Sequence, residues 1–212
     1  MTLKLFYSPG ACSMSAHIAL EEAGATYETE VVKLAENAQR TPEYLAVNPR
    51  GRLPALKLDD GSVLTECAGI LTYVANQYPK SKLWPESATD RGRCVEWMSW
   101  LASYVHVAYA QTRRPYRFVG QNEHVFPQVR QAGGAHLRVA YKDIEERLSK
   151  TAYAVGDSIS VADLHLFVFY QWGKGAQLVG PVITPAFSKW GAKMNERASV
   201  KKVADIEGLK LT

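Results

Sequence analysis

LKLFYSPGACSMSAHIALEEAG, residues 3–24, reads as a strand, a turn and a helix in immediate succession. Residues 3–7 are apolar and aromatic, the composition of a strand. Pro9-Gly10 turns the chain, residues 13–23 carry a helical pattern, and Gly24 stops it. Cys12 and Ser13 occupy the first turn, where a core-building sequence would place Leu or Ala. Unpaired N–H groups and the positive end of the helix dipole favour a thiolate at that position. Ser13 offers a hydroxyl beside it. Ser15 makes the motif C-x-x-S, so no dithiol forms within it, while a mixed disulfide with a small thiol stays open. A small cysteine packed under the loop fits the same residues. The stretch alone supports both readings.

Working outward, residues 27–32 (YETEVV) alternate polar and apolar and predict a second strand. A mixed segment with Pro42, Pro49 and Gly51 holds one helical turn at PEYLA. LPALKL (53–58), the turn Asp59-Asp60-Gly61-Ser62 and SVLT (62–65) predict an antiparallel hairpin. Residues 66–78 predict a helix. The order βαβ then ββα describes a small α/β domain over residues 1–80. PKSKLWPES (79–87) reads as a linker. Beyond it, residues 89–112, 124–149, 160–173 and 185–197 have helical periodicity, broken at Pro115, Gly156 and Gly180-Pro181. An all-helical domain is therefore expected over 88–212.

Hydrophobic residues make up 47% of the 212 and charged residues 22%, an ordinary globular balance that excludes a disordered or fibrous chain. The N-terminus lacks a signal-peptide pattern, and no apolar run approaches the ~20 residues of a membrane span. Three widely spaced cysteines make neither a disulfide framework nor a zinc pattern, and they suit a reducing cytosol. A cytoplasmic protein without a metal or a membrane partner is expected. The net charge of +4 peaks in RRPYR at 113–117. Without a basic stripe elsewhere, that run reads as a solvated helix end and not as a nucleic-acid surface. A positive balance also favours small anionic ligands.

Four further groupings have chemical content. Leu53-Pro54 opens a strand; a cis bond there would present the Leu53 backbone to a ligand, while base rates favour trans. Thr65-Glu66-Cys67 lies where a strand runs into a helix, so its N–H groups suit a carboxylate and Glu66 suits an ammonium. A Thr N-cap explains the same residues. On EWMSWLASYVHVAY (96–109), Ser99, Ser103 and His106 fall within roughly 60° of arc, with Arg113 near the same stripe. They face a cleft or a partner, or His106 is a core histidine. Ser160 and Asp163 resemble a capping box. Trp97, Trp100 and Tyr104 crowd one helix, which predicts a homodimer.

YSPGACSMSAHIALEEAG, AVNPRGRLPALKLDDGSVLTE, EWMSWLASYVH and SVADLHLF, in this order, resemble the cytosolic glutathione transferases, specifically the bacterial beta class. The resemblance covers essentially the whole chain. It implies a thioredoxin-like N-terminal domain (βαβαββα), an all-helical C-terminal domain and a homodimer, with glutathione as co-substrate and no other cofactor. It implies that Cys12 lies beside the glutathione sulfur, with His106 near the thiol. It implies that Leu53 before a cis Pro54 binds the cysteinyl part, that Glu66 and Cys67 hold the γ-glutamyl end, and that Ser99 and Ser103 approach glutathione. Tyr109, Arg113 and Trp172 are the residues expected around the electrophile. Cys67 stands where the family often has Ser or Gly, Val107 where it has a lysine, and Tyr104 where it has an acid. The loop LAENAQR lacks the family's lysine. Conjugation of glutathione to apolar electrophiles leads. A glutathione-dependent thiol transferase or peroxidase using Cys12, and a non-catalytic ligand-binding protein, are the alternatives.

Overall fold

The computed structural model describes residues 2–211. Strand β1 (Leu3–Tyr7) leads through the Pro9-Gly10 turn into helix α1 (Met14–Glu22), and β2 (Tyr27–Val31) returns parallel to β1. Helix α2 (Pro42–Val47) is N-capped by Thr41, whose side chain accepts from the Tyr44 N–H. β3 (Ala55–Lys57) and β4 (Val63–Thr65) form the hairpin around Gly61, with Leu56 opposite Leu64. β3 also runs antiparallel to β1, so the sheet order is β2-β1-β3-β4. Helix α3 (Cys67–Gln77) follows, and α1 and α3 pack together. The Leu53-Pro54 bond is cis, as the resemblance implied and the base rate did not.

The remaining chain is helical: α4 (Ala88–Trp100), α5 (His106–Arg113), α6 (Tyr116–Val119), α7 (Phe126–Leu148), α8 (Val161–Gly175), α9 (Pro185–Asn195) and α10 (Ala198–Glu207). The expected helix over 89–112 is interrupted: Leu101–Val105 is wound as a π-helix between α4 and α5. That wider turn breaks the 100° spacing from which the Ser99–Ser103–His106 stripe was reckoned. The two short pieces not anticipated are α6 and α10. Residues 79–87 do not hang free; Leu83 is buried and its carbonyl accepts from the Val161 N–H.

α8 enters the core most deeply, with Leu164, Leu166, Phe167 and Phe169 wholly buried. Each such side chain contributes about 1.5–3 kcal/mol through removal of apolar surface from water. Its start is a complete capping box: Ser160 and Asp163 bond each other's backbone N–H groups. Asp163 also accepts from the Ala154 N–H and Trp190 Nε1, so this motif is structural. Burial pushes its carboxyl up to about 6.

α10 straps back across α1. Glu22 bonds Arg197 and Ser199. Glu207, with a fully buried side chain, accepts from the Gly10 N–H at 2.9 Å and lies 2.8 Å from His17 Nδ1. The C-terminal helix thus pins the turn that carries Cys12.

Candidate functional site

Two adjoining cavities open around Cys12. The first, about 340 Å³, is lined by Cys12, Leu53, Pro54, Glu66, Cys67 and His106, with Arg52, Val107, Arg117, Phe118 and His165. The second, about 550 Å³, shares Cys12, Leu53, Arg52, His106 and Arg117, and adds Gly10, Arg40, Arg113, Arg114, Tyr116 and Trp172. Residues from the first turn, the hairpin entry, the start of α3 and the α5–α6 region therefore meet at one thiol.

Cys12 is half-buried in the turn just before α1, and its Sγ–H donates to the Leu53 carbonyl at 3.5 Å. The Cys67 thiol donates to the Cys12 carbonyl at 3.5 Å. Hydrogen bonding from Cys67 holds the Cys12 thiol below its ordinary range, against the opposing effect of burial and with help from its own backbone and the Arg114 charge. Cys67 is pushed well up by hydrogen bonding with Cys12 and by burial. The pair therefore has one activated thiol, Cys12, and one inert donor, Cys67. Although C-x-x-S contains no second thiol, the tertiary fold supplies one.

Ser13 does not face the site. Its side chain is fully buried; it accepts from the Ser8 N–H and donates to the Ser8 carbonyl, at 3.1 and 3.2 Å. The hydroxyl stitches the Pro9-Gly10 turn, so it is not a donor to a bound thiolate. At the other junction the N-cap of α3 is Glu66, not Thr65, with φ 69° in the left-handed region. Such a backbone costs about 1–3 kcal/mol and is characteristic of ligand clamps. Thr65 Oγ1 instead accepts from Arg50.

His106 opens α5 directly after the π-helical turn and lines both cavities. Its ring packs edge-on to Phe169 and Trp172. Burial, and then the charges of Arg114, Arg117 and Arg52, push it down to about 4. It is neutral at pH 7, so a thiolate beside it meets a neutral ring and not an imidazolium. Ser99 and Ser103 are exposed and line neither cavity; Ala102, His106 and Ala110 take the inward positions. Tyr109 is buried, 2.7 Å from the Tyr141 hydroxyl, and lies behind the cavity wall instead of in it. Trp172 and Arg113 do line the second cavity, and Trp172 Nε1 donates to the Gly10 carbonyl at 2.9 Å.

Sequence reasoning missed His165, a buried ring in the wall of the first cavity whose Nδ1 has no partner among the described residues. Burial pushes it down to about 3. It also missed Arg40, Arg52, Arg114 and Arg117; the run RRPYR was the one signal for Arg114 and Arg117. Gly51 lets the 34–40 loop close on the site: its φ is +58°, and a Cβ there would stand 2.8 Å from both the Gln39 carbonyl and Arg40 Nη1.

Comparison with known proteins shows the family. Residues 10–77 match the glutathione S-transferase N-terminal domain and residues 118–198 the C-terminal domain. The chain belongs to the glutathione S-transferase family. Among family members, it is 34% identical to glutathione S-transferase GstA of Escherichia coli O157:H7, over 98% of this chain and 100% of that one. A glutathione transferase homolog from Sulfitobacter, solved with bound glutathione, superposes with a TM-score of 0.91 at 34% identity, covering 99% of each chain. The bacterial beta class glutathione S-transferase of Sphingomonas chungbukensis gives 0.85 at 32%, over 98% of this chain and 100% of that one. The sheet and its helices are thus the family's thioredoxin-like N-terminal domain, followed by its all-helical domain.

Proposed function

We propose that this chain is an enzyme that conjugates reduced glutathione to electrophiles, as a cytoplasmic homodimer with residues 1–80 as the glutathione-binding domain and 88–212 as the helical domain. The observation that carries the reading is the convergence of Cys12, the Leu53 carbonyl, and Glu66-Cys67 at the start of α3 on one cavity. The N–H groups at the start of α3 suit the γ-glutamyl carboxylate and Glu66 its ammonium. The Leu53 backbone suits the cysteinyl unit, which sets the glutathione sulfur beside Cys12 and His106. Arg40 and Arg52 supply, for the glycyl carboxylate, the cation that the loop's missing lysine would have given. Ser99 and Ser103, exposed on this chain, keep a role at glutathione only where a second subunit brings them to it. Trp97, Trp100 and Tyr104 give weaker support to the dimer than the family does, because within one chain Trp97 is buried and Trp100 stacks on Tyr104.

In the reaction the thiol gives its proton to solvent, the sulfur lone pair forms a C–S bond to the electrophilic carbon, and the leaving group departs with the electron pair of the bond it breaks. Backbone N–H groups and the neutral His106 N–H stabilise the thiolate that precedes attack. The electrophile rests against Val107, Tyr116, Phe118 and Trp172. Retention on immobilised glutathione and turnover of chlorodinitrobenzene test the reading together; absence of both rejects it. A second reading, thiol transfer through a Cys12–glutathione mixed disulfide, is favoured by the lowered Cys12 thiol.

A further inference from the structure

The wall of the larger cavity holds five guanidinium groups: Arg40, Arg52, Arg113, Arg114 and Arg117. No Asp or Glu lines that cavity, and among the described residues none of the five makes a side-chain hydrogen bond or ion pair. Elsewhere the chain pairs its arginines readily: Arg147 reaches Glu96 and Asp143, and Arg197 reaches Glu22. Five unpaired cations around one concave space repel one another unless an anion joins them. A cleft lined by one sign of charge concentrates the opposite sign.

Glutathione does not use this charge up. Near neutral pH it carries two carboxylates and one ammonium, and the start of α3 with Glu66 suits one of each. The remaining glycyl carboxylate needs one bidentate guanidinium or two, and Arg40 and Arg52 stand on the glutathione side. Arg113, Arg114 and Arg117 are left over, carried from the end of α5 into α6. Arg113 is held over the Tyr109 ring at 5.5 Å. Burial first, then the charges of Arg52 and Arg114, push the Arg117 guanidinium down, which places these groups in one another's field. Tyr116 and Trp172 line the same space with aromatic surface.

We propose that the electrophile accepted by this protein is an aromatic or unsaturated compound bearing a carboxylate or sulfonate, held by Arg113, Arg114 and Arg117 beside Trp172. The proposal rests on the transferase reading and narrows its substrate class from apolar to anionic.

A matched pair tests it: chlorodinitrobenzoate, with its carboxylate para to the chlorine, and the corresponding benzamide. In both, the glutathione thiolate forms the C–S bond, the C–Cl bond breaks, chloride leaves with the electron pair, and the thiol proton has gone to solvent. After correction for the uncatalysed rates, kcat/KM for the benzoate should exceed that for the benzamide at least ten-fold at low salt. The ratio should shrink as sodium chloride screens the charges, and collapse towards one in an R113Q/R114Q/R117Q variant. Calorimetric binding of the two finished S-conjugates gives the same ratio without turnover. Equal values for both members of the pair overturn the proposal and leave the transferase reading intact. Failure of glutathione itself to bind overturns the transferase reading. In that case calorimetry with the free benzoate and benzamide still decides whether the arginine wall selects an anion, and equal binding overturns that too.

Discussion

Replacing Glu207 by Leu removes the carboxylate that joins α10 to the Cys12 turn. Two donors lose their acceptor, the part-buried Gly10 N–H at 2.9 Å and the fully buried His17 Nδ1 at 2.8 Å. His17 Nε2 already lacks a partner among the described residues, so the ring has no second bond to fall back on. An orphaned buried donor costs about 1–3 kcal/mol, so two cost roughly 4 kcal/mol. For a chain of this size that lowers Tm by roughly 8–16 °C. Urea unfolding followed by far-UV circular dichroism reads the change, at fixed protein concentration because dimerisation would couple to it. Glu207→Gln keeps one oxygen acceptor and should lose about half as much. The functional consequence is local: among the described residues Gly10 then keeps only its bond from Trp172 Nε1, so amide exchange at residues 8–12 should quicken before global unfolding. A loss below about 1 kcal/mol for Glu207→Leu, with unchanged exchange, would refute the strap.

Oxidised glutathione should modify Cys12 and spare Cys67 and Cys94, adding about 305 Da in intact mass spectrometry; modification of Cys67 instead would reverse the assignment of the two thiols. Cys67→Ala removes the donor that lowers the Cys12 thiol, so the pH midpoint of Cys12 alkylation by iodoacetamide should move up, and an unmoved midpoint would count against that bond. His106→Ala should cut conjugation turnover roughly ten-fold or more with little change in folding. Because His106 titrates near 4, turnover should show no His106 inflection between pH 5.5 and 7.5 (roughly the ordinary range of histidine), and an inflection there that vanishes in the variant would contradict a neutral ring. Stability should fall as pH drops from the ordinary histidine value of about 6.5 towards 4, because the unfolded chain then binds protons that His106 and His165 refuse when folded. Asp163, raised to about 6, binds its proton more readily when folded and opposes one of the two. A net slope near one proton is expected in urea unfolding, and a flat or inverted profile would show that the two rings are not held neutral.

The local features were legible in the sequence because their causes are local. Pro9-Gly10, the Asp-Gly turn at 60–61, the Ser160–Asp163 cap and the helical periods each act over a few residues, and the elements formed where those signals lay. The resemblance added the cis bond before Pro54 and the gathering of Cys12, Leu53, Glu66, Cys67 and His106. What packing alone decided depends on partners far apart in the chain. Ser13 points inward because Ser8 meets it across the turn, whereas its place in the first turn of the helix set its hydroxyl beside Cys12. The π-helical turn at Leu101–Val105 moved Ser99 and Ser103 off the stripe that a uniform 100° step assigned them. Tyr109 went to the core because Tyr141, on α7, offered its hydroxyl a partner. Cys67 became a donor to the Cys12 carbonyl 55 positions away, and Glu207 the anchor of a turn 197 positions away. Five arginines from three segments became one charged wall. Hydrophobic pattern and turn chemistry determine which face of each element is buried; which polar groups then meet is set by how the elements stack, and a buried donor takes whatever acceptor that stacking brings within about 3 Å.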